Sequence, residues 1–167
     1  MNDYNEENIF NFDLSLEDRL DKYITKYFYI AKIISNLAQV YLVGGAIRDL
    51  MYGKFPKDLD FVVLGNNNKE FILQVFEKFN IKYELNKLGG FKINYNNMMI
   101  DIWTTEDLFE SIQYNLDGLL YNLNSKMMIS LTFDDFKNNG LIEINHRNNI
   151  QNKRITKLKK FESKYLK

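Results

Sequence analysis

The 167-residue sequence predicts an α/β (α+β) fold, in which strand-like and helix-like segments share one domain. A β-branched and aromatic run at Val40–Val43 leads into a double-glycine turn, a short helix and a second strand that begins near Asp58. A long amphipathic segment precedes this unit. Three strand-like runs, separated by Gly-Gly and Asn-Asn pairs typical of hairpin turns, follow it.

The elements are predicted in chain order. Ser15 is the expected N-cap of a helix that runs to about Ala38 with apolar residues at spacings of three and four. A second helix is predicted over Lys69–Phe79. The segments predicted as further strands are Ile81–Leu88, Phe91–Tyr95, Met98–Trp103 and Lys126–Leu131. The segments predicted as further helices are Thr132–Gly140 and Asn152–Leu166.

The composition bounds the class of protein. The chain is 46% hydrophobic and 26% charged, which is ordinary for a soluble globular domain. It contains no cysteine, which excludes disulfides and thiolate zinc sites. No apolar run approaches the roughly 20 residues of a membrane span, and the acidic N-terminus is unlike a signal peptide. We therefore expect a cytoplasmic protein with one domain over residues 1–167, a loosely ordered segment at 1–14 and a C-terminal helix at 152–167.

The net charge is zero, but its distribution is uneven. Residues 1–21 carry seven acids and one arginine, whereas residues 148–167 carry seven lysines or arginines and one glutamate. Two interpretations are open: two solvated ends that lie near each other, or a basic C-terminal face for nucleic acid.

The chemistry of the chain is concentrated between Tyr41 and Leu64. Asp58 and Asp60 are two apart, so in a strand both side chains point to the same face and repel each other. A divalent cation relieves that repulsion, and Mg²⁺ commonly takes one or two carboxylates together with substrate phosphates. The Gly44-Gly45 turn offers backbone N–H groups that favour phosphate. The pattern predicts a phosphate cradle beside a metal site.

The same stretch resembles a known family signature. Leu42-Val43-Gly44-Gly45, Arg48-Asp49, Gly53, Lys57-Asp58 and Asp60 resemble the head-domain pattern of the class II tRNA nucleotidyltransferases and bacterial poly(A) polymerases. The resemblance implies the polymerase-β-like nucleotidyltransferase fold, with a mixed, mostly antiparallel sheet backed by helices. It covers about residues 40 to 123.

The resemblance also implies roles for particular residues. Asp58 and Asp60 would hold two Mg²⁺ ions, and Asp101, an acid inside an apolar strand, would complete the catalytic and metal site; the alternative is an edge-strand acid that faces water. Gly44, Gly45, Arg48 and Asp49 would form the nucleotide-binding site, although Arg48 has the alternative of a structural ion pair.

A second segment, Ser111–Asn122, resembles a family segment loosely. Ser111, Ile112 and Gln113 stand where the family has Arg-Arg-Asp. Asn115 and Asp117 are predicted to contact the nucleotide, with capping of a local turn as the alternative.

The reaction implied is transfer of a nucleoside monophosphate from an NTP to a hydroxyl, with release of pyrophosphate. The expected acceptor is an RNA end. Alternatives are a small hydroxylated molecule, as in antibiotic nucleotidyltransferases, and a non-catalytic regulatory partner with the same fold. Because the family continues into further helical domains, we expect the stripe Ile155, Leu158 and Phe161 to contact a second copy or a protein partner.

Overall fold

A computed structural model describes residues 13–145 and 152–166, and describes side chains in the second range from residue 155 onward. Most of the predicted loose N-terminal segment lies outside these residues. In the part of the chain that is described, no helix combines the length and apolar character needed to cross a membrane.

In the described part of the chain, seven strands form one central sheet. Its strands are β1 (Val40–Val43), β2 (Asp58–Leu64), β3 (Glu84–Leu85), β4 (Phe91–Tyr95), β5 (Met98–Thr105), β6 (Leu119–Asn122) and β7 (Met127–Ser130). They lie in the order β3-β4-β5-β2-β1-β6-β7. All neighbours pair antiparallel except β2 and β5, which are parallel. The predicted mixed, mostly antiparallel sheet is confirmed.

Six α-helices surround the sheet in the described residues. They are α1 (Leu16–Tyr27), α2 (Ile30–Ile34), α3 (Gly45–Met51), α4 (Lys69–Lys78), α5 (Phe133–Asn139) and α6 (Asn152–Tyr165). The predicted N-cap of the first helix is present, since the Ser15 hydroxyl accepts a hydrogen bond from the Asp18 N–H at 3.1 Å.

The first helix is shorter than predicted. Continuous helix to Ala38 was the expectation, but Phe28 leaves the helical conformation at φ −151° and ψ 68°, which separates α1 from α2. The Phe28 side chain is fully buried, with its ring 5.8 Å from Phe61 and 5.4 Å from Tyr95. Packing of this ring on the sheet overrides the helical periodicity, which continues on both sides of it.

The predicted strand Ile81–Leu88 is also wrong over most of its length. Only Glu84–Leu85 pairs with β4. Both residues are exposed, so the segment has no buried face to extend its pairing.

The two faces of the sheet have different environments. Leu59, Phe61 and Ile100 point to one face, where α1 to α4 cover them and form the main hydrophobic core. The opposite face carries Asp58 and Asp60 and a smaller apolar cluster around Tyr41 and Val62. The functional candidates therefore lie on the face that the main helical layer does not cover.

The C-terminal helix packs within its own chain. Leu158 is 1% exposed and joins a cluster with Leu116, Phe133 and Phe136, and Phe161 is partly buried against the same cluster. The carboxylate of Glu162 accepts a hydrogen bond from the Leu141 N–H. The expectation that the Ile155, Leu158 and Phe161 stripe serves a partner is therefore corrected, because its central residue is covered by α5 and the 3₁₀ turn at Asn115–Gly118.

Candidate active site

The parallel pairing of β2 and β5 brings three carboxylates to one face. Asp60 is the register partner of Asp101, and Asp58 lies two pairs away opposite Met99. Residues in register on neighbouring strands share a face, as do residues two apart on one strand. Asp58 is exposed, while Asp60 and Asp101 are half-buried. Two long-range strand partners thus place Asp101 next to the pair that the sequence singled out.

The double-glycine turn lies against these carboxylates. Val43, the last residue of β1, pairs with Asp60, so the chain turns at Gly44 beside the Asp60 side chain. Gly44 has φ +80°, and a Cβ at this position would lie 3.3 Å from Asp60 Oδ2. The absence of a side chain at Gly44 allows both the backbone conformation and the close approach of the carboxylate.

A cleft of about 760 Å³ opens in front of the turn. Its walls carry both carboxylates and basic side chains. The acidic lining residues are Asp49, Asp58, Asp60 and Asp117, and the basic ones are Arg48, Lys54, Lys57 and Lys157. Gly44, Gly45 and Trp103 also line it, whereas Asp101 does not. The cleft combines groups that hold cations with groups that bind phosphate.

The pKa values of two carboxylates near the cleft, Asp101 and Asp49, are raised. Burial raises the pKa of Asp101; Lys92 on β4 acts in the opposite direction, and the charge of Asp58 raises the pKa further. Burial also raises the pKa of Asp49, against the lowering effects of Lys157, Arg48 and Lys54. Asp58 again adds to the increase. Burial is the larger cause for both groups, and the charge of Asp58 adds a smaller increase that a cation bound at Asp58 would offset.

The donor set fits Mg²⁺ held by two carboxylates. Asp58 and Asp60 offer hard oxygen ligands at an open cleft, and Mg²⁺ completes its coordination with water and substrate phosphates. Within residues 13–145 and 155–166, no three acidic or histidine side chains are grouped closely enough to hold a metal. Asp101 lies opposite Lys92 and outside this cleft lining, and its role as a third ligand stays a prediction.

Arg48 and Asp117 form an ion pair at the cleft wall. Arg48 Nη1 lies 3.4 Å from Asp117 Oδ1, and both side chains are largely buried. The other Asp117 oxygen accepts a hydrogen bond from the Tyr114 N–H at 3.2 Å. The structural alternative considered for Arg48 is thus present. Both residues still face the cleft, so contact with a nucleotide stays a prediction.

Asn115 has a structural role. Its side chain is fully buried, and Nδ2 donates to Asp135 Oδ2 and to the Gly140 carbonyl, each at 2.8 Å. Its Oδ1 accepts from the Ile142 N–H at 3.0 Å. The prediction that Asn115 contacts the nucleotide is corrected, because these bonds fix the 3₁₀ turn to α5 and to the segment after it.

Sequence reasoning missed Lys157 as a site residue. It belongs to the basic stretch at residues 148–167, and in the structure it lines the cleft, with Nζ 4.0 Å from the position of a Cβ on Gly45. No local signal marks this contact, because 112 positions separate the two residues in the chain (157 − 45).

Comparison with known proteins first identifies the fold. The Thermotoga maritima CCA-adding enzyme complexed with tRNA-CCA superposes with a TM-score of 0.56 at 21% identity, over 78% of this chain and 33% of that one. A CCA-adding enzyme in complex with CTP gives a TM-score of 0.54 at 25% identity, over 70% of this chain and 31% of that one. The chain has the polymerase-β-like nucleotidyltransferase fold.

Sequence comparison then finds related proteins. Residues 40–117 match the poly A polymerase head domain. The CCA-adding enzyme of Francisella tularensis subsp. novicida (strain U112) is 26% identical over 108 residues, 53% of this chain and 28% of that enzyme. The CCA tRNA nucleotidyltransferase of Francisella novicida is 50% identical over 38 residues, 23% of this chain and 45% of that protein.

The chain spans less than half the length of these relatives. The similarity to the poly A polymerase head domain lies in residues 40–117 of this chain.

Proposed function

We propose that this protein transfers a nucleoside monophosphate from an NTP to a hydroxyl at an RNA end, with release of pyrophosphate. One observation carries the proposal. Asp58 and Asp60 lie side by side next to the Gly44 turn, at a cleft that is also lined by four basic side chains. Carboxylates beside a cationic surface suit a metal-bound triphosphate. The head-domain match favours an RNA acceptor over a small hydroxylated molecule.

In the proposed reaction, the acceptor oxygen forms a bond to the α-phosphorus. The bond from that phosphorus to the bridging oxygen breaks, and pyrophosphate leaves with the electron pair. When bound, Mg²⁺ supplies charge neutralisation for the attacking and leaving oxygens. Asp58 and Asp60 would hold the metal.

Asp101, which lies just outside the cleft lining, and the basic side chains of the cleft would act on the substrates. Asp101 has a pKa raised by burial and lies in register with Asp60, so it would receive the acceptor proton through a cleft water. The cations of the cleft would hold the phosphates, and the half-buried Trp103 would limit water at the same wall.

The proposal is tested by incubating the protein with each of the four labelled NTPs, Mg²⁺ and either truncated tRNA or total RNA. The expected result is label in RNA on a denaturing gel, dependent on Mg²⁺ and on a free 3′ hydroxyl. A parallel reaction with aminoglycosides tests the small-molecule alternative. Label on the aminoglycosides alone would overturn the proposed acceptor. The absence of label with every NTP would overturn the proposed reaction.

A further inference from the structure

The C-terminal helix α6 places the ammonium group of Lys157 beside Gly45, the second glycine of the turn. Lys157 Nζ lies 4.0 Å from the position of a Cβ on Gly45, and the preceding glycine is in contact range of Asp60. The order across the cleft is therefore Asp60, Gly44, Gly45 and Lys157. Lys157 also lines an adjoining groove of about 310 Å³ between α3 and α6.

The backbone that carries Lys157 is firmly positioned. Leu158 is 1% exposed in the cluster formed with α5, and Phe161 stacks on Tyr165 with ring centroids 5.7 Å apart. Ile155 packs against the same cluster. Because its neighbours are anchored, Lys157 is held at the cleft wall while its own side chain is exposed.

Lys157 differs from Arg48 in what surrounds its charge. Arg48 is paired with Asp117 at 3.4 Å and lies 5.8 Å from the Phe161 ring centroid. Among the described residues, no carboxylate lies within 4 Å of Lys157 Nζ. Asp49 interacts with Lys157 over a longer distance. Phosphate contact by Lys157 therefore does not require the loss of a close ion pair, whereas contact by Arg48 competes with Asp117.

We propose that Lys157 binds the terminal phosphates of the nucleotide, so that α6 forms a wall of the phosphate subsite. The inference rests on the proposed function for the direction in which the nucleotide lies. The α-phosphate belongs at Asp58 and Asp60, where transfer occurs, and the chain of the triphosphate then runs past Gly44 toward Lys157. A flexible ammonium group suits this place as a point charge for phosphate oxygens.

The experiment measures binding of inorganic tripolyphosphate by calorimetry, which requires no catalysis. The variants are K157Q, K157R and the control K159Q, which removes the same charge from an exposed lysine of α6 that lines neither cavity. K157Q should weaken binding about tenfold, as expected for loss of a charged hydrogen bond. K157R should stay within about threefold, and K159Q should match wild type.

Equal weakening in K157Q and K159Q would reduce the effect to net charge and overturn the proposal. Wild-type affinity in K157Q, or no binding of tripolyphosphate by wild type, would overturn it as well. The outcome is separable from that of the proposed function. Transfer to RNA with unchanged tripolyphosphate binding in K157Q rejects only the role of Lys157. If K157Q weakens tripolyphosphate binding as expected but wild type transfers nucleotide to no acceptor, only the proposed reaction is rejected.

Discussion

Gly44 and Asp60 constrain each other at the scale of single residues. Gly44 has φ 80° and ψ −146°, a conformation that is essentially restricted to glycine. A Cβ there would also lie 3.3 Å from Asp60 Oδ2. Gly45 differs, since the nearest atom to its Cβ position is Arg48 Nη2 at 3.7 Å, an ordinary contact distance. The two glycines therefore have separate roles.

We expect Gly44→Ala to lower stability by about 1–3 kcal/mol, the range for a strained backbone conformation, and to displace the Asp60 carboxylate. Gly45→Ala is the matched control and should melt close to wild type. Thermal denaturation of the three proteins checks this prediction. Equal melting temperatures for G44A and G45A would show that the turn carries no such constraint.

Asp101 gives a prediction with a defined pH dependence. Its folded-state pKa is raised, mainly by burial, above the ordinary value of 3.8. The unfolded chain ionises first, so stability falls as the pH rises from about 3.8 through the raised folded-state pKa, and the cost persists above it. Asp101→Asn removes the cost, so at pH 7.5 without metal the variant should melt slightly higher than wild type.

That gain should disappear well below pH 3.8, where the Asp101 carboxyl is protonated in both the folded and the unfolded state. The same variant should bind NTP normally and transfer nucleotide at least about tenfold more slowly, because an amide cannot accept the proton. A large fall in the melting temperature at neutral pH would instead identify Asp101 as a structural acid that depends on Lys92.

At the scale of elements, the sequence predicts those helices and strands whose bounds depend on neighbouring residues, and it fails where contacts between distant residues set the bounds. The bounds of the strand Val40–Val43 agree with its β-branched and aromatic run, and those of Phe91–Tyr95 agree with local alternation and turn signals. The break at Phe28 and the burial of Asn115 depend on partners far along the chain, which no local pattern records. The pairing of Asp60 with Asp101 was predicted in part. The sequence indicates both residues as site candidates, but only the fold shows that they are register partners.

The packing of α6 is the element-scale prediction. Leu158→Ala removes a fully buried side chain and should lower the free energy of unfolding by about 2–5 kcal/mol without changing the molecular mass in solution. Leu166→Ala is the control on an exposed leucine, 43% accessible, beside the end of the same helix. Denaturant unfolding and light scattering check both. Loss of a wild-type dimer in L158A, without loss of monomer stability, would restore the intermolecular interpretation.

At the scale of the whole molecule, the residues of the main hydrophobic core and the residues of the candidate active site lie on opposite faces of the sheet. Helices α1 to α4 bury one face in the main core, and the opposite face presents the carboxylates and the cleft. Substitution of a cleft carboxylate therefore leaves the main core intact. For this reason, loss of activity without loss of folding is the expected signature of the site.

The most direct test of the central claim is the single-turnover rate of nucleotide transfer by wild type and Asp60→Asn at saturating NTP and Mg²⁺. Circular dichroism confirms that both are folded. Loss of the proposed metal ligand Asp60 should slow transfer more than about 100-fold, which corresponds to roughly 2.7 kcal/mol of activation free energy. A folded D60N protein that transfers nucleotide within about tenfold of the wild-type rate would contradict the assignment of this cleft as the active site.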